Sequence, residues 1–292
     1  TIMTSNTSQA SLTAHYQNGS DETQLWQRIS DTLENAGIQA GELNSALLAP
    51  VDQLHIGGRQ ATTRLLEKAA LTPESHILEI GSGLGGASRL LADTLDAHIT
   101  AIDITPSFTF ACQQINRILG YSCINSVCAD ACELDQLADN SQDAIWSQHT
   151  IMNIPDKDRL LETLNRVLKP GGKLLLHEVI AGSNPEPLQL PVPWASSESL
   201  SHLPDDKGFQ QQLAQAGFDI LMWDDITDSA LQWRSKHTQR EAGKSQQGDT
   251  QKRSPLSPLL VFGEQFLTMG KNIQQNLADS KISIVQAVLI KR

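Results

Sequence analysis

From position 76 onward, short apolar runs alternate with amphipathic stretches. The runs are HILEI (76–80), HITAIDI (98–104), CINSVCA (123–129), DAIWSQH (143–149) and KLLLHEVI (173–180). Each is short and rich in Ile, Leu or Val, which predicts buried strands. The stretches between them, 85–95, 106–119 and 156–168, carry apolar residues at helical spacing. Pro106 suits a first helical turn. Strand–helix–strand alternation with nearly continuous apolar strands predicts an α/β fold, a parallel sheet covered on both faces.

Two helices are predicted upstream. Residues 21–36 repeat Leu25, Ile29 and Leu33 with Trp26 alongside, between a Ser20 or Asp21 cap and Gly37. A second helix opens at Gly57-Gly58, carries Ala61, Leu65, Leu66 and Ala69 on one side, and is closed by Pro73. Beyond the fifth strand the rhythm breaks. GSNPEPLQLPVPW holds four prolines, which exclude regular structure. A helix (GFQQQLAQAG), a strand (FDILMWDDIT), a helix from Asp228, a polar linker, a helix from Leu259 and a last strand (ISIVQAVLI) follow.

The chain has 292 residues, 39% of them apolar, and a formal charge of −11. Such acidity argues against a nucleic-acid substrate. The densest basic stretch, 244–253, is thin and rich in Ser, Gln and Gly. No apolar run is long enough to span a bilayer. The polar start, TIMTSNTSQAS, lacks the layout of a secretory signal and reads as a disordered end, so a cytoplasmic protein is expected. Cys112, Cys123, Cys128 and Cys132 form no C-x-x-C pair and have no His at knuckle distance. They are expected as reduced thiols, with Cys128 in the core. No H-E-x-x-H, carboxylate-rich loop or S-x-x-K is present, so no metal is expected.

The chemistry concentrates in HILEIGSGLGGASRLLA (76–92), with Gly81-x-Gly83-x-x-Gly86 between a strand and a helix. Glycines there permit unusual φ angles and a close backbone approach, and the helix start points free N–H groups at the same spot. Asp103 ends the next strand, 22 positions after Gly81, where a carboxylate accepts from ribose hydroxyls. These residues alone fit either a dinucleotide or S-adenosylmethionine.

The stretch resembles the first motif of class I S-adenosylmethionine-dependent methyltransferases, with Glu79 in the acidic place followed by Gly81, Gly83 and Gly85. ITAIDIT resembles the ribose-acid motif, with Ile104 against adenine. CADA places Asp130 and Ala131 where relatives hold the adenine amino group. DAIWSQHTIMNIPDK and RVLKPGGKLLLHEVI resemble the fourth- and fifth-strand motifs. Within the class, HIGGRQATTRLL, PVPW, LAQAGFDILMWDDIT and ISIVQAVLIKR resemble the sarcosine/dimethylglycine and phosphoethanolamine N-methyltransferase group. The resemblance covers about residues 53–292. A dehydrogenase needs a second centre such as Tyr-x-x-x-Lys, and neither Tyr16 nor Tyr121 starts one.

The resemblance implies a Rossmann-like, seven-stranded, mostly parallel sheet whose last strand lies antiparallel beside the fifth. It implies a tail or lid start over 1–20, a helical lid over 21–72, a cofactor-binding core over 73–181, and over 182–292 a cap plus the last two strands. S-adenosyl-L-methionine is the implied cofactor and S-adenosyl-L-homocysteine the product. The cofactor set is Glu79, Gly81, Ser82, Gly83, Gly85, Asp103, Ile104, Asp130 and Ala131, with Ser147 and Gln148 at the fourth-strand exit and His55 on the cofactor-side wall. His149, Asn153 and Tyr16 are the substrate-side candidates, His149 as base or anchor. His149 and Asn153 both depart from the residues that relatives carry there.

His177 is expected to be packed, and His202 and His237 to lie in the cap. Trp194, Trp223 and Trp233 are expected as cap core, with a cation–π cage as the alternative. The activity implied is methyl transfer to a small molecule, an amine first, then carbon or oxygen, then sulfur. A cofactor-binding partner without turnover stays open, as does a homodimer. Neither nucleic acid nor membrane is an expected partner. N-P-P-[YF], the mark of DNA-base amino methyltransferases, is absent.

Overall fold

The computed structural model describes residues 10, 12–16, 21–241 and 254–292. Of the expected tail or lid start over 1–20, residues 1–9, 11 and 17–20 lie outside the described residues, as do 243–253 of the expected linker over 243–258. Residues 12–16 are helical. Helices α1 (Gln24–Asn35), α2 (Ser45–Asp52) and α3 (Gly58–Ala69) then lead into β1 (His76–Ile80). α4 (Gly86–Leu95), β2 (His98–Asp103), α5 (Pro106–Leu119), β3 (Ile124–Cys128) and β4 (Gln142–Gln148) follow. A short 3-10 turn (Ile151–Asn153), α6 (Lys157–Val167) and β5 (Leu168–Ala181) complete the first half. The remainder is α7 (Asp206–Gln215), β6 (Phe218–Asp225), α8 (Thr227–Glu241), α9 (Leu259–Phe262), α10 (Phe266–Ala278) and β7 (Ile282–Lys291).

The strands form one seven-stranded sheet in the order β3-β2-β1-β4-β5-β7-β6. The first five pair in parallel, and β7 runs antiparallel between β5 and β6. Alternation along each strand splits the core in two. Leu78, Ile80, Ile145, Leu174 and Leu176 face α6 and α7. Ile77, Ala144, Trp146 and Leu175 face α3 and α4. The apolar stripe of α1 (Leu25, Ile29, Leu33) packs with Leu48 and Val51 of α2 onto Phe108 and Ile115 of α5. Trp194 and Val192 of the proline-rich segment pack with α8 and α10 in a further cluster.

Four expectations are corrected. α2 is a helix that the pattern does not announce: it is eight residues long with Pro50 in its last turn, and Asn44 caps it by accepting from Ala46 N and Leu47 N. β5 starts at Leu168, and the KPGG stretch is absorbed as a bulge, Leu168 pairing with Gln142 and Lys173 with Ala144. The helix from Leu259 breaks at Gly263 (φ +71°), and α10 begins anew at Phe266. Cys128 ends an edge strand and is exposed; Cys112 is the buried thiol. No helix among the described residues is long and apolar enough to cross a membrane.

A buried ion pair ties the N-terminal helices to the core. Arg89 of α4 donates to Asp52 of α2 at 2.8 Å, both side chains at most 3% exposed. Arg89 also donates to Asn116 Oδ1 and Leu84 O, each at 2.7 Å. Breaking a buried pair leaves an uncompensated charge. Arg89→Met is therefore expected to lower the unfolding free energy by about 3–5 kcal/mol in urea denaturation. Adding Asp52→Leu should restore most of it. A single-variant loss below about 1 kcal/mol would mean that the pair behaves as a solvated one.

Candidate active site

The sheet order reverses direction at β1, where β2 lies on one side and β4 on the other. Ligands of doubly wound sheets bind beyond the strand ends at such a point. A cavity of about 1250 Å³, its mouth included, opens there.

The loop after β1 is shaped by close approach. A Cβ on Gly81 (φ +66°) would lie 2.1 Å from Thr150 Oγ1. Ser82 N donates to Ile102 O at 2.9 Å and pins the loop over β2. Asp103 Oδ2 accepts from Gly83 N at 2.9 Å, and Oδ1 from Thr105 N at 2.8 Å. Burial raises the Asp103 pKa despite these bonds. Glu79, also buried, accepts from the Ser88 hydroxyl, and burial pushes its pKa up to about 7. Ile104, Asp130 and Ala131 line the same cavity, and Asp130 Oδ1 accepts from Cys132 N at 2.8 Å.

Gln148 Oε1 accepts from Trp146 Nε1 (2.9 Å) and Thr62 Oγ1 (3.2 Å), while its Nε2 is buried without a partner. An unmet donor on the wall suits an anionic or carbonyl ligand group. His55 lines the cavity too, its Nε2 within 2.9 Å of Gly58 O and 3.1 Å of Thr62 Oγ1. Two expected cofactor residues do not reach the wall. Gly85 is the left-handed residue preceding α4, where a Cβ would meet Cys112 Sγ at 2.6 Å. Ser147 points to the opposite face of β4 from Gln148 and donates to Glu178 Oε1 at 2.5 Å.

Across the cavity stand His149, Asn153 and Tyr16. Tyr16 donates its hydroxyl to Asn153 Oδ1 at 2.9 Å and packs edge-on against Phe108. Burial, then the Asp103 charge, raises the Tyr16 pKa, so the phenol stays a donor. Asn153 Nδ2 in turn donates to Trp194 O (2.7 Å) and Leu200 O (3.1 Å). Asn153 thus bridges the N-terminal segment and the proline-rich segment.

His149 sits at φ +51° and stacks in parallel on His177, ring centroids 5.1 Å apart, with His55 6.1 Å away. Its Nε2 is buried with no hydrogen-bond partner. Burial, then His177 and His55, holds its pKa well below 6.5. His177 is packed as expected, bonded through Nε2 to Ile56 O at 2.8 Å. His202 and His237 do not line the cavity. Trp194 does, whereas Trp223 donates to Asp206 and Trp233 stacks on His237, so no aromatic cage forms. Among the described residues no group of His, Cys, Asp or Glu is placed to hold a metal.

Sequence reasoning missed Asp52, Phe108 and Glu178. Asp52 and Phe108 line the cavity. Glu178 accepts from Ser147 Oγ, Thr150 N and Ile151 N, and burial pushes its pKa up to about 7. The available signal was a carboxylate inside the apolar run KLLLHEVI. Such a group needs donors nearby, and the adjoining strand exit supplies them.

Residues 78–176 match a family model described as a methyltransferase domain. Phosphoethanolamine N-methyltransferase 1 of Arabidopsis thaliana is 32% identical over 181 residues, 60% of this chain and 35% of that protein. Glycine/sarcosine/dimethylglycine N-methyltransferase of Actinopolyspora halophila is 26% identical over 179 residues, 61% of this chain and 32% of that protein. The chain thus spans about a third of the length of these two curated relatives. The structure superposes with a TM-score of 0.68 and 19% identity on Haemonchus contortus phosphoethanolamine N-methyltransferase 2, solved with phosphomonomethylethanolamine and S-adenosylhomocysteine, covering 89% of this chain and 59% of that one. Residues 78–176 are thus similar to a methyltransferase domain, and the seven-stranded sheet around them has the fold of these methyltransferase structures.

Proposed function

We propose that this protein is an S-adenosylmethionine-dependent methyltransferase acting on a small-molecule nucleophile, an amine first, in an enclosed site. The observation that carries the reading is Asp103, buried at the strand end and fastened to Gly83 N across the glycine loop, with both residues on the cavity wall. The curated relatives named above are N-methyltransferases, which supports the amine. Residues 21–72 are assigned as a lid, 73–181 as the cofactor core, and 182–292 as cap plus closing strands. The acidic chain and its four free thiols support a cytoplasmic enzyme whose substrate is not a nucleic acid.

The residues fit the cofactor. Asp103 keeps lone pairs for two ribose hydroxyls. Ile104, Asp130 and Ala131 would flank adenine. The Gly81–Ser82–Gly83 backbone and the unmet Gln148 Nε2 would hold the amino-acid end, with Glu79 and His55 beside them. When bound, the cofactor supplies a methyl group on a sulfonium, an electrophile that needs orientation more than activation. The protein's part is to align the acceptor, exclude water and take up a proton where the acceptor sheds one. His149 is the group for that: it lines the cavity, it is neutral, and its ring makes no hydrogen bond among the described residues.

Three measurements test this reading. Asp103→Ala should weaken S-adenosylmethionine binding by about 100-fold in calorimetry, the loss of two hydrogen bonds to a charged acceptor. An unchanged affinity would remove Asp103 from the site. Wild-type protein should bind S-adenosylmethionine and not NAD, and should release S-adenosylhomocysteine with small-molecule extracts; binding without any release would leave a cofactor-holding partner protein. Proton uptake is read by NMR titration of the eight histidines. A base whose pKa is depressed charges only as pH falls through the lowered value. His149 should therefore stay neutral at pH 6.5 and below, with His55 titrating near about 4 and His177 near about 3. A His149 midpoint at its ordinary value would mean that water reaches the ring freely.

A further inference from the structure

Granting methyl transfer in this cavity, the wall left over by the cofactor residues specifies the acceptor. That wall is built by Leu12, Ile56, Met152, Trp194, Phe262 and Ile273. They come from separate segments: the N-terminal turn, the α2–α3 loop, the fourth-strand exit, the proline-rich segment and the two C-terminal helices. All are apolar.

The polar groups on this side are already engaged, with one exception. Asn153 accepts from Tyr16 and donates to Trp194 O and Leu200 O, so both ends of its amide are satisfied. The Tyr16 proton is committed to Asn153. His55 is bonded through Nε2 to Gly58 O and Thr62. The His149 ring alone makes no hydrogen bond among the described residues, and its Nε2 is buried unpartnered.

Charge narrows the choice further. Among the described residues the cavity is lined by four carboxylates, Asp52, Glu79, Asp103 and Asp130, and by no Lys or Arg. The nearby buried cations are engaged elsewhere: Lys157 Nζ donates to Ile154 O and His202 O, and Arg89 holds Asp52. A phosphate or carboxylate on the acceptor would lose water, meet no cation and find almost no donor. An ammonium meets carboxylates that the protein already engages, Asp103 by backbone N–H groups, Glu79 by Ser88, Asp130 Oδ1 by Cys132 N and Asp52 Oδ2 by Arg89; Asp52 Oδ1 is buried without a partner among the described residues, but the Arg89 guanidinium beside it offsets its charge.

We propose that the acceptor is an uncharged, mostly apolar small molecule that presents one nucleophilic N–H or O–H to His149 and carries no phosphate or carboxylate. An arylamine or a phenol has this chemistry. The acceptor N or O bonds to the methyl carbon as the methyl–sulfur bond breaks with its electron pair left on sulfur. His149 takes the N–H or O–H proton and passes it to water. The amine preference of the proposed function is kept, narrowed to amines that are neutral near pH 7 on an apolar frame.

The test uses the full chain loaded with S-adenosylhomocysteine, titrated calorimetrically with 4-propylaniline, 4-propylphenol, phosphoethanolamine and sarcosine. The two neutral probes should bind at least about tenfold more tightly than the two charged ones. A parallel titration with S-adenosylmethionine alone separates the two readings. No cofactor binding would sink the methyltransferase assignment. Cofactor binding with phosphoethanolamine or sarcosine preferred, or with neither neutral probe bound, would overturn the acceptor inference alone.

His149→Gln supplies the readout a packing role would not move. It should leave 4-propylphenol binding within about threefold while slowing its methylation about 100-fold near pH 7, the scale of general-base assistance. The deficit should shrink near about pH 10, where a phenol ionises unaided. A deficit independent of pH would make His149 a positioning residue and remove the proton transfer from the proposal.

Discussion

The ligand end of this sheet hangs on one buried carboxylate. Glu178 of β5 is fully buried and accepts from Ser147 Oγ, Thr150 N and Ile151 N at 2.5, 3.0 and 3.1 Å. A carboxylate without such donors is far too costly inside an apolar strand. The donors come from the residues where β4 ends, so the carboxylate fixes how the chain leaves the sheet. Three consequences follow from that one turn. His149 is held at φ +51°, a left-handed conformation that an L residue adopts only when its surroundings impose it. Thr150 is brought over Ile80 O, 3.2 Å from its Oγ1, and closes against Gly81, which is why no side chain fits there. The 3-10 turn Ile151–Asn153 carries the Asn153 amide to the point where three segments meet.

That amide closes the cavity with bonds of unequal consequence. Its link to Tyr16 is one neutral hydrogen bond, of a kind worth about 0.5–1.5 kcal/mol net. Its links to Trp194 O and Leu200 O tie down backbone that carries few other hydrogen bonds in an irregular segment. The N-terminal segment is held as well by His15 Nε2 against Pro193 O at 3.1 Å and by Tyr16 packing on Phe108. Behind it, the Arg89–Asp52 pair and the α1–α2 packing on α5 hold the remaining helices in place.

The sequence pattern located the central strands β1, β2, β4, β5 and β7 because burial on both faces leaves mostly apolar runs, while the edge strands β3 and β6 are more exposed and more mixed. It located the glycine loop and Asp103 because strand, turn and helix must follow in that order to make the site. It failed where pattern and geometry part company. α2 is too short, with a proline in its last turn, to show a helical period. Gly85 and Ser147 belong to the right motifs, yet one begins α4 and the other lies on the far face of β4. Asp52 and Glu178 are single acidic letters whose meaning lies in partners 37 and 27–31 positions away. No local period reports contacts at that range. Asn153 was placed correctly beside the site, but its role as a bridge depends on backbone carbonyls that no side-chain pattern displays.

One electrostatic field underlies both halves of the proposed reaction. The cavity carries four carboxylates, and their charge is offset inside by Arg89 and by backbone N–H groups rather than by cations facing the ligand. Burial holds Glu79 near a pKa of about 7, so its ionisation responds to what binds beside it. A sulfonium arriving at this wall favours the ionised carboxylates, because an opposite charge nearby lowers a carboxylate pKa. Once the methyl has moved, the sulfur is neutral, and part of that attraction is gone. The wall therefore binds the methyl donor more strongly than the demethylated product on charge grounds alone. The same negative wall repels an anionic acceptor at every point of the reaction. Favouring a cationic donor and rejecting an anionic acceptor is thus one property of these carboxylates, and the apolar cap narrows the acceptor to an uncharged one.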